Sequence, residues 1–411
     1  MEYRQHQLSN GLEILAECNP QGHTAAFGYF VRTGSRDETT ELAGVSHFLE
    51  HMVFKGTPNR TAAQVNLELD EMGSASNART GEESTIYHAS VLPEFQTQMI
   101  ELLSDIMRPS LRTEDFETEK QVIIEEIKMY DDQPPYGGYE KVMSEFFGQH
   151  PLGQSVLGAA ESVSALTPDQ MMGYFQQRYS ANNICVAAAG NVNFERLVDD
   201  VERCCGEWAS FEAARDKRQA EYRQGFTCLH RPQAHQQYIL QLAPGVSSED
   251  ELRYASSIMA AILGDDSGSR MYWEFLDTGL AESAGMGSYD YQGSGAIMTY
   301  LCCAPEQAQD NLQRLHELQL KVAAEGVTQK ELDLAKRKIA SRIVLASERT
   351  GTRMFSVGSQ WLSEQRFKTV AEIAEKYESM TLVQVNEAIE AFPLAANMTV
   401  VVGPRDDLTG A

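Results

Sequence analysis

The sequence contains no apolar run approaching the ~20 residues that a membrane-spanning helix needs. Its start, Met1 to Leu8 (MEYRQHQL), lacks both the apolar core of a secretory signal and the Arg/Ser-rich pattern of a presequence, so a cytoplasmic location without membrane attachment is expected. Basic residues are scarce: 34 Lys and Arg stand against 59 Asp and Glu, a formal charge of −25. That balance argues against a nucleic-acid partner, because neutralising phosphates takes clustered cations. It suits either simple solubility or attraction of basic peptides. Cysteine is sparse too. The seven include two adjacent pairs, Cys204 with Cys205 and Cys302 with Cys303, and no C-x-x-C, which excludes a disulfide framework and a thiolate metal site as readings.

What remains is an ordinary globular composition, 42% hydrophobic and 23% charged, over 411 residues. A chain of that length exceeds one compact core, so two domains are expected. The charged stretch Glu207 to Gln224 (EWASFEAARDKRQAEYRQ) lacks apolar periodicity and marks a linker, 207–224, between domains at 1–206 and 225–411. The two halves repeat a pattern. Ala25 to Val31 reads as an apolar strand leading through Arg32-Thr33-Gly34-Ser35 into a helix that runs towards Gly56. Tyr238 to Leu242 leads through Pro244-Gly245 into a helix ending near Gly264. Further strand-like segments (Ser84 to Val91, Ala396 to Val402) alternate with helical ones (Asp115 to Tyr130, Gln329 to Ser347), giving an α+β class with two related domains.

The strongest local signal is His47-Phe48-Leu49-Glu50-His51, an H-x-x-E-H arrangement. At 100° per residue from Leu42, the residues Glu50, His47 and His51 fall near about 80°, 140° and 180°, away from apolar Val45, Leu49, Met52 and Val53. Imidazoles at i and i+4 can converge on one Zn²⁺, and a carboxylate just before the second can hold a water beside it. A plain solvated helix face would read the same way.

A catalytic zinc needs a third protein ligand and an open fourth position. In the segment Asp115 to Tyr130, with Phe116 at 0°, the apolar Phe116, Ile123, Ile127 and Tyr130 cluster, and Val122 and Met129 extend their arc. Glu119 and Glu126 fall inside it at about 300° and 280°, whereas Glu125 points to about 180°. Burying an unpaired carboxylate is costly, so each should be paired or metal-bound. Periodicity thus selects Glu126 over Glu125 as third ligand, with Glu119 as an acceptor behind a ligand histidine. A buried structural ion pair with an arginine is the alternative.

With Met52-Val53-Phe54-Lys55-Gly56-Thr57 following, and Glu119 and Glu126 downstream, these residues resemble the insulinase and mitochondrial-processing-peptidase family of inverted-motif zinc peptidases. Gly73 to Ala78 with Thr85-Ile86-Tyr87 looks like that family's substrate-binding edge strand, and His150-Pro151-Leu152-Gly153, Gly264 to Arg270 and Gly279-Leu280-Ala281 are similar to later landmarks. The resemblance implies one zinc per chain on His47, His51 and Glu126, Glu50 as general base, Glu119 behind the ligands, and substrate pairing at Asn77 and Ala78. It further implies two homologous αβ domains, each a mostly antiparallel sheet with packed helices, forming half of a clamshell, so that a dimer is expected.

Counting back from Gly264 as from Gly56, the second half has Ala255, Ile258 and Met259 where the first has His47, Glu50 and His51. It should carry no metal. Where active members of the family have an Arg and, seven residues later, a Tyr, this chain has Phe275 and Glu282. Neither donates to an oxyanion with Glu282 ionised, so either a related partner chain supplies the pair or nearby Arg270, Tyr289 or Tyr291 stands in. The expected activity is metalloendopeptidase action on peptides or unfolded segments; a structural or chaperone-like subunit is the rival.

Overall fold

The computed structural model describes residues 1–410, which form two compact units. The first contains Met1–Lys128, Gln154–Asp216 and Leu345–Phe367; the second contains Met129–Gly153, Lys217–Val344 and the chain from Lys368 onward. Segment 207–224 carries no helix or strand. It is nonetheless held: Arg215 is buried against Asp37 at 2.6 Å in the first unit, and Ala220 is buried in the second.

The first unit is built on a sheet of six strands, β1 (Glu2–Gln7), β2 (Glu13–Cys18), β3 (Ala25–Val31), β4 (Ala75–Thr80), β5 (Thr85–Val91) and β6 (Ile184–Gly190). Their order is β1-β2-β6-β3-β5-β4. Only β2 and β6 run parallel. Strands β3 and β6 are buried along their whole length, as near-continuous apolar runs (AAFGYFV, ICVAAAG) require when both faces of a central strand are covered. One face packs on helices Val45–Val53, Gln96–Ile106, Thr113–Asp131 and Phe194–Cys205. The other is covered by helix Thr350–Glu364 from late in the chain, whose Met354, Val357 and Trp361 meet Phe30, Ala26 and Cys185. Gly358 permits that approach, since a Cβ there would lie 2.4 Å from the Phe30 ring.

The second unit repeats the scheme with five strands, β7 (Gly225–His230), β8 (Gln237–Pro244), β9 (Ser283–Tyr291), β10 (Ser294–Cys303) and β11 (Met398–Gly403), in the order β7-β11-β8-β10-β9. Again one pair, β7 with β11, is parallel. Here the covering helix comes from the first half of the sequence: Val142, Met143 and Phe146 of Pro134–Phe147 pack on Leu240, Val400 and Val402. Helices Leu252–Gly264 and Leu382–Ala391, together with Leu332 of Gln329–Ser347, build the core on the opposite side. Two related α+β units are therefore present, and in each one sheet face is covered by a helix from the other half of the sequence. Among the described residues no helix is long and apolar enough to cross a membrane.

Candidate metal centre

The histidine helix, Val45–Val53, starts at Gly44, whose φ of +92° suits glycine. Gly44 has no side chain to cap the helix. The Glu38 carboxylate does so from a distance, accepting from Ser46 N at 2.7 Å and Gly44 N at 2.8 Å. Burial pushes the Glu38 carboxyl up to about 8 even against those two donors. Ser46 Oγ lies 2.6 Å from the Tyr174 hydroxyl, which in turn sits 2.8 Å from Thr33 Oγ1, so the first turn is fixed in a buried polar network.

Val45, Leu49, Met52 and Val53 enter the core as the wheel requires, and so does Phe48, stacked on Phe116 with ring centroids 4.5 Å apart. That contact brings the helix Thr113–Asp131 alongside. Val122 and Met129, expected to extend its apolar arc, are instead exposed, because only the Phe116–Ile123–Ile127 stripe meets the core. The buried sector is narrower than hydrophobicity alone suggests. Glu119 and Glu126 border it, and Glu125 points to solvent and pairs with Lys128.

These two helices bring His47, His51 and Glu126 together, with ligand atoms all within 4.8 Å of one another. Glu126 Oε2 stands 3.9 Å from His47 Nε2 and 3.7 Å from His51 Nε2. Tetrahedral bonds of about 2.0–2.1 Å imply donor separations of roughly 3.3 Å, so small side-chain adjustments would close the set on zinc. Two imidazoles and a carboxylate are the hard-to-borderline donors that zinc accepts. Among the described residues no other group of three His, Cys, Asp or Glu converges in this way.

Tautomers agree with that use. His51 Nδ1 lies 2.9 Å from Glu119 Oε1, which assigns its proton to Nδ1 and leaves Nε2 facing Glu126. Glu119 is held from its other oxygen by Lys55 Nζ at 2.6 Å. Burial favours the neutral form of His51, but the Glu119 hydrogen bond and the carboxylates of Glu50 and Glu126 outweigh it and raise the pKa. His47 is pushed down to about 3 by burial and by His51, so it stays neutral, as a ligand must.

Glu50, one residue before His51, turns its carboxylate to the end of β4, where Thr80 Oγ1 donates to Oε2 at 2.6 Å. Burial raises the Glu50 pKa and the Thr80 bond only partly offsets it. Strand β4 is the sheet's outer edge beyond β5. Asn77 is exposed on it and Ala78 half-buried, opposite His88 and Tyr87. Sequence reasoning assigned nothing to Thr80, Lys55 or Glu38. The period-2 alternation from Ala78 could have found Thr80; Glu38 has no local signal.

The chain as a whole has relatives. An uncharacterized zinc protease of Mycobacterium tuberculosis is 32% identical across 98% of this chain and 93% of its own length. Residues 13–160 match the profile of the insulinase family, peptidase family M16, and residues 165–339 that of the peptidase M16 inactive domain. The chain belongs to peptidase family M16. An uncharacterized zinc protease of Bacillus subtilis, YmxG, is 29% identical over 93% of the M16 chain and 94% of its own length. A protease from Helicobacter pylori has the same fold, with a TM-score of 0.90 at 19% identity over 98% and 99% of the two chains. So does a chain of complex III2 from Candida albicans, at 0.85 and 18% over 99% and 97%.

In the second unit of this M16 chain, Ala255, Ile258 and Met259 are fully buried. Phe275 is also fully buried, in a core with Met271 and Leu312, and the Glu282 carboxylate accepts from Gln236 Nε2 at 2.6 Å. Arg270, a possible substitute donor, is engaged with Glu331 at 2.7 and 3.1 Å. Tyr291 is buried, while Tyr289 is 43% exposed.

Proposed function

We propose that this M16 chain is a zinc metalloendopeptidase that hydrolyses peptides or unfolded polypeptide segments. The observation that supports it best is the convergence of His47, His51 and Glu126, with Glu50 on the helix that carries the two histidines. His47, His51 and Glu126 would hold one zinc per chain, with Glu119 orienting His51. When bound there, zinc supplies Lewis-acid polarisation of the scissile carbonyl and acidifies water. Glu50 accepts the proton of the attacking water on its carboxylate and passes it to the departing amine nitrogen. The open edge of β4 at Asn77 and Ala78 pairs with an extended peptide backbone, which selects shape over sequence.

The charge of −25 favours basic peptides, with rates that fall as salt screens the field. Phe275 and Glu282 offer no oxyanion donor, and the chain acts as a dimer, either with itself or with a related chain that supplies an Arg/Tyr pair. The structural-subunit reading draws on the likeness to the complex III2 chain; an intact donor set weighs against it.

A peptide-library digest by the zinc-loaded protein, alone and mixed with a related M16 chain, tests the proposal. Cleavage that disappears in Glu50→Gln is expected. If the partner supplies the missing donors, the mixture gains about 10²–10³-fold over the chain alone. Zinc-loaded protein that cuts nothing in either setting overturns the peptidase reading in favour of a structural subunit.

A further inference from the structure

Glu50 is a long side chain with three rotatable bonds, and a general base must be held within a few tenths of an ångström of its target to be effective. Among the described residues it receives one hydrogen bond, from Thr80 Oγ1 at 2.6 Å, across 30 positions of sequence. A hydroxyl donating to a carboxylate at that distance is a strong, charge-assisted contact.

Thr80 is itself immobilised. It is the last residue of β4, opposite Thr85 in the β4–β5 register, and the hairpin closes behind it with Gly81 N donating to Ser84 O at 2.9 Å. Ser35 N donates to Gly81 O at 3.2 Å and Arg36 N to Glu82 O at 2.9 Å, which ties the hairpin tip to the segment leading to the histidine helix. Thr85 Oγ1 adds a bond to Thr33 O at 3.0 Å. Along β4, Ala78 and Thr80 are the half-buried residues while Asn77 and Arg79 are exposed, so Thr80 shares its face of the strand with Ala78.

Resting on the peptidase reading above, we propose that Thr80 is a positioning residue: its hydroxyl clamps one oxygen of Glu50, presents the other to water, and ties the base to the strand that receives substrate. The clamp does not touch substrate or metal. It acts through Glu50 alone, so removing it should slow turnover without weakening peptide binding or zinc uptake.

Thr80→Val keeps the shape and removes the donor. The expected result is kcat lower by about 10- to 100-fold, the range for losing a hydrogen bond to a charged group, with KM and zinc content unchanged. Thr80→Ser restores kcat to within a few-fold. In a Glu50→Gln background Thr80→Val adds less than about two-fold, because the two act as one unit. A readout without activity comes from melting the metal-free protein: Thr80→Val lowers the midpoint in the wild-type background and does not in Glu50→Ala. Should Thr80→Val fail to fold, Thr80→Ala is the second hydroxyl-free variant. Wild-type kcat in Thr80→Val, or no recovery in Thr80→Ser, overturns the proposal while leaving the peptidase reading intact. If the wild type itself cleaves nothing, the peptidase reading falls, and equal melting shifts in both backgrounds then also dismiss the Thr80–Glu50 link.

Discussion

The helix Val45–Val53 and its counterpart Leu252–Gly264 hold the same place in two related units and carry opposite chemistry. In the first, three positions carry His47, buried, and Glu50 and His51, both half-buried. In the second, the equivalent Ala255, Ile258 and Met259 are fully buried among Val385, Ala388 and Ile389. The neighbouring long helices diverge in step. Thr113–Asp131 and Gln329–Ser347 have equal length, and residue for residue Glu119 and Glu126 correspond to Ala335 and Arg342. Arg342 turns to Asp265 and Asp266. One scaffold thus offers a set of corresponding positions, filled in one unit with a cluster of donors that could hold a metal and in the other with apolar side chains and an ion-paired arginine.

The sharpest way to break the comparison is at its catalytic position. Glu50→Gln should keep zinc and lose about 10²- to 10⁴-fold in kcat, whereas Ile258→Gln should leave the chemistry alone and destabilise the second unit. Steady-state kinetics and elemental analysis separate the two; a Glu50→Gln protein as active as wild type removes Glu50 from the mechanism. Next comes metal binding. His51→Ala and Glu126→Gln should fail to retain stoichiometric zinc against a chelator, and Glu125→Gln should retain it. Full retention by His51→Ala would dissolve the proposed ligand set.

On the apolar side, Met259→Ala should cost about 2–5 kcal/mol of stability by opening a cavity, with zinc content unchanged, as read by denaturant unfolding. The smallest effect concerns Glu331, which Arg270 and the Thr328 cap hold down at about 2 against the burial that opposes them. A carboxyl depressed in the folded state contributes stability that is present above its unfolded pKa and is lost as pH falls towards about 2. Glu331→Gln should therefore flatten the acid limb of thermal stability between those limits and leave neutral-pH zinc binding untouched. An acid limb identical to wild type would count against that ion pair.

Much of this contrast could be read in the sequence because it is local. The spacing of His47 and His51 and the heptad step from Glu119 to Glu126 are consequences of one helix period, and Ala255, Ile258 and Met259 follow by counting from a glycine. Strands β3 and β5 were legible for the same reason, as short apolar or β-branched runs. What escaped depends on partners distant in sequence. Val122 and Met129 look like core residues until the neighbouring helix covers only part of the apolar arc. Thr80 acquires meaning from Glu50 across 30 positions, Glu38 from Gly44 and Ser46 in a non-helical loop, and Lys55 from Glu119. The segment 129–153, lodged in the second unit, carries no local mark of its destination.

That exchange of helices has a bearing on the order in which the protein is made. Every residue of the candidate metal centre has emerged by Glu126, yet the sheet beneath it keeps Phe30, Ala26 and Cys185 uncovered until Thr350–Glu364 arrives. At ~5–20 residues per second of synthesis, the residues from Lys217 to Phe367 occupy the ribosome for roughly 8–30 s. Through that interval the core between sheet and helices can form from residues already made, but the second face of the sheet lacks its covering helix, so the nascent chain completes its donor-bearing half only after most of the donor-free half has been translated.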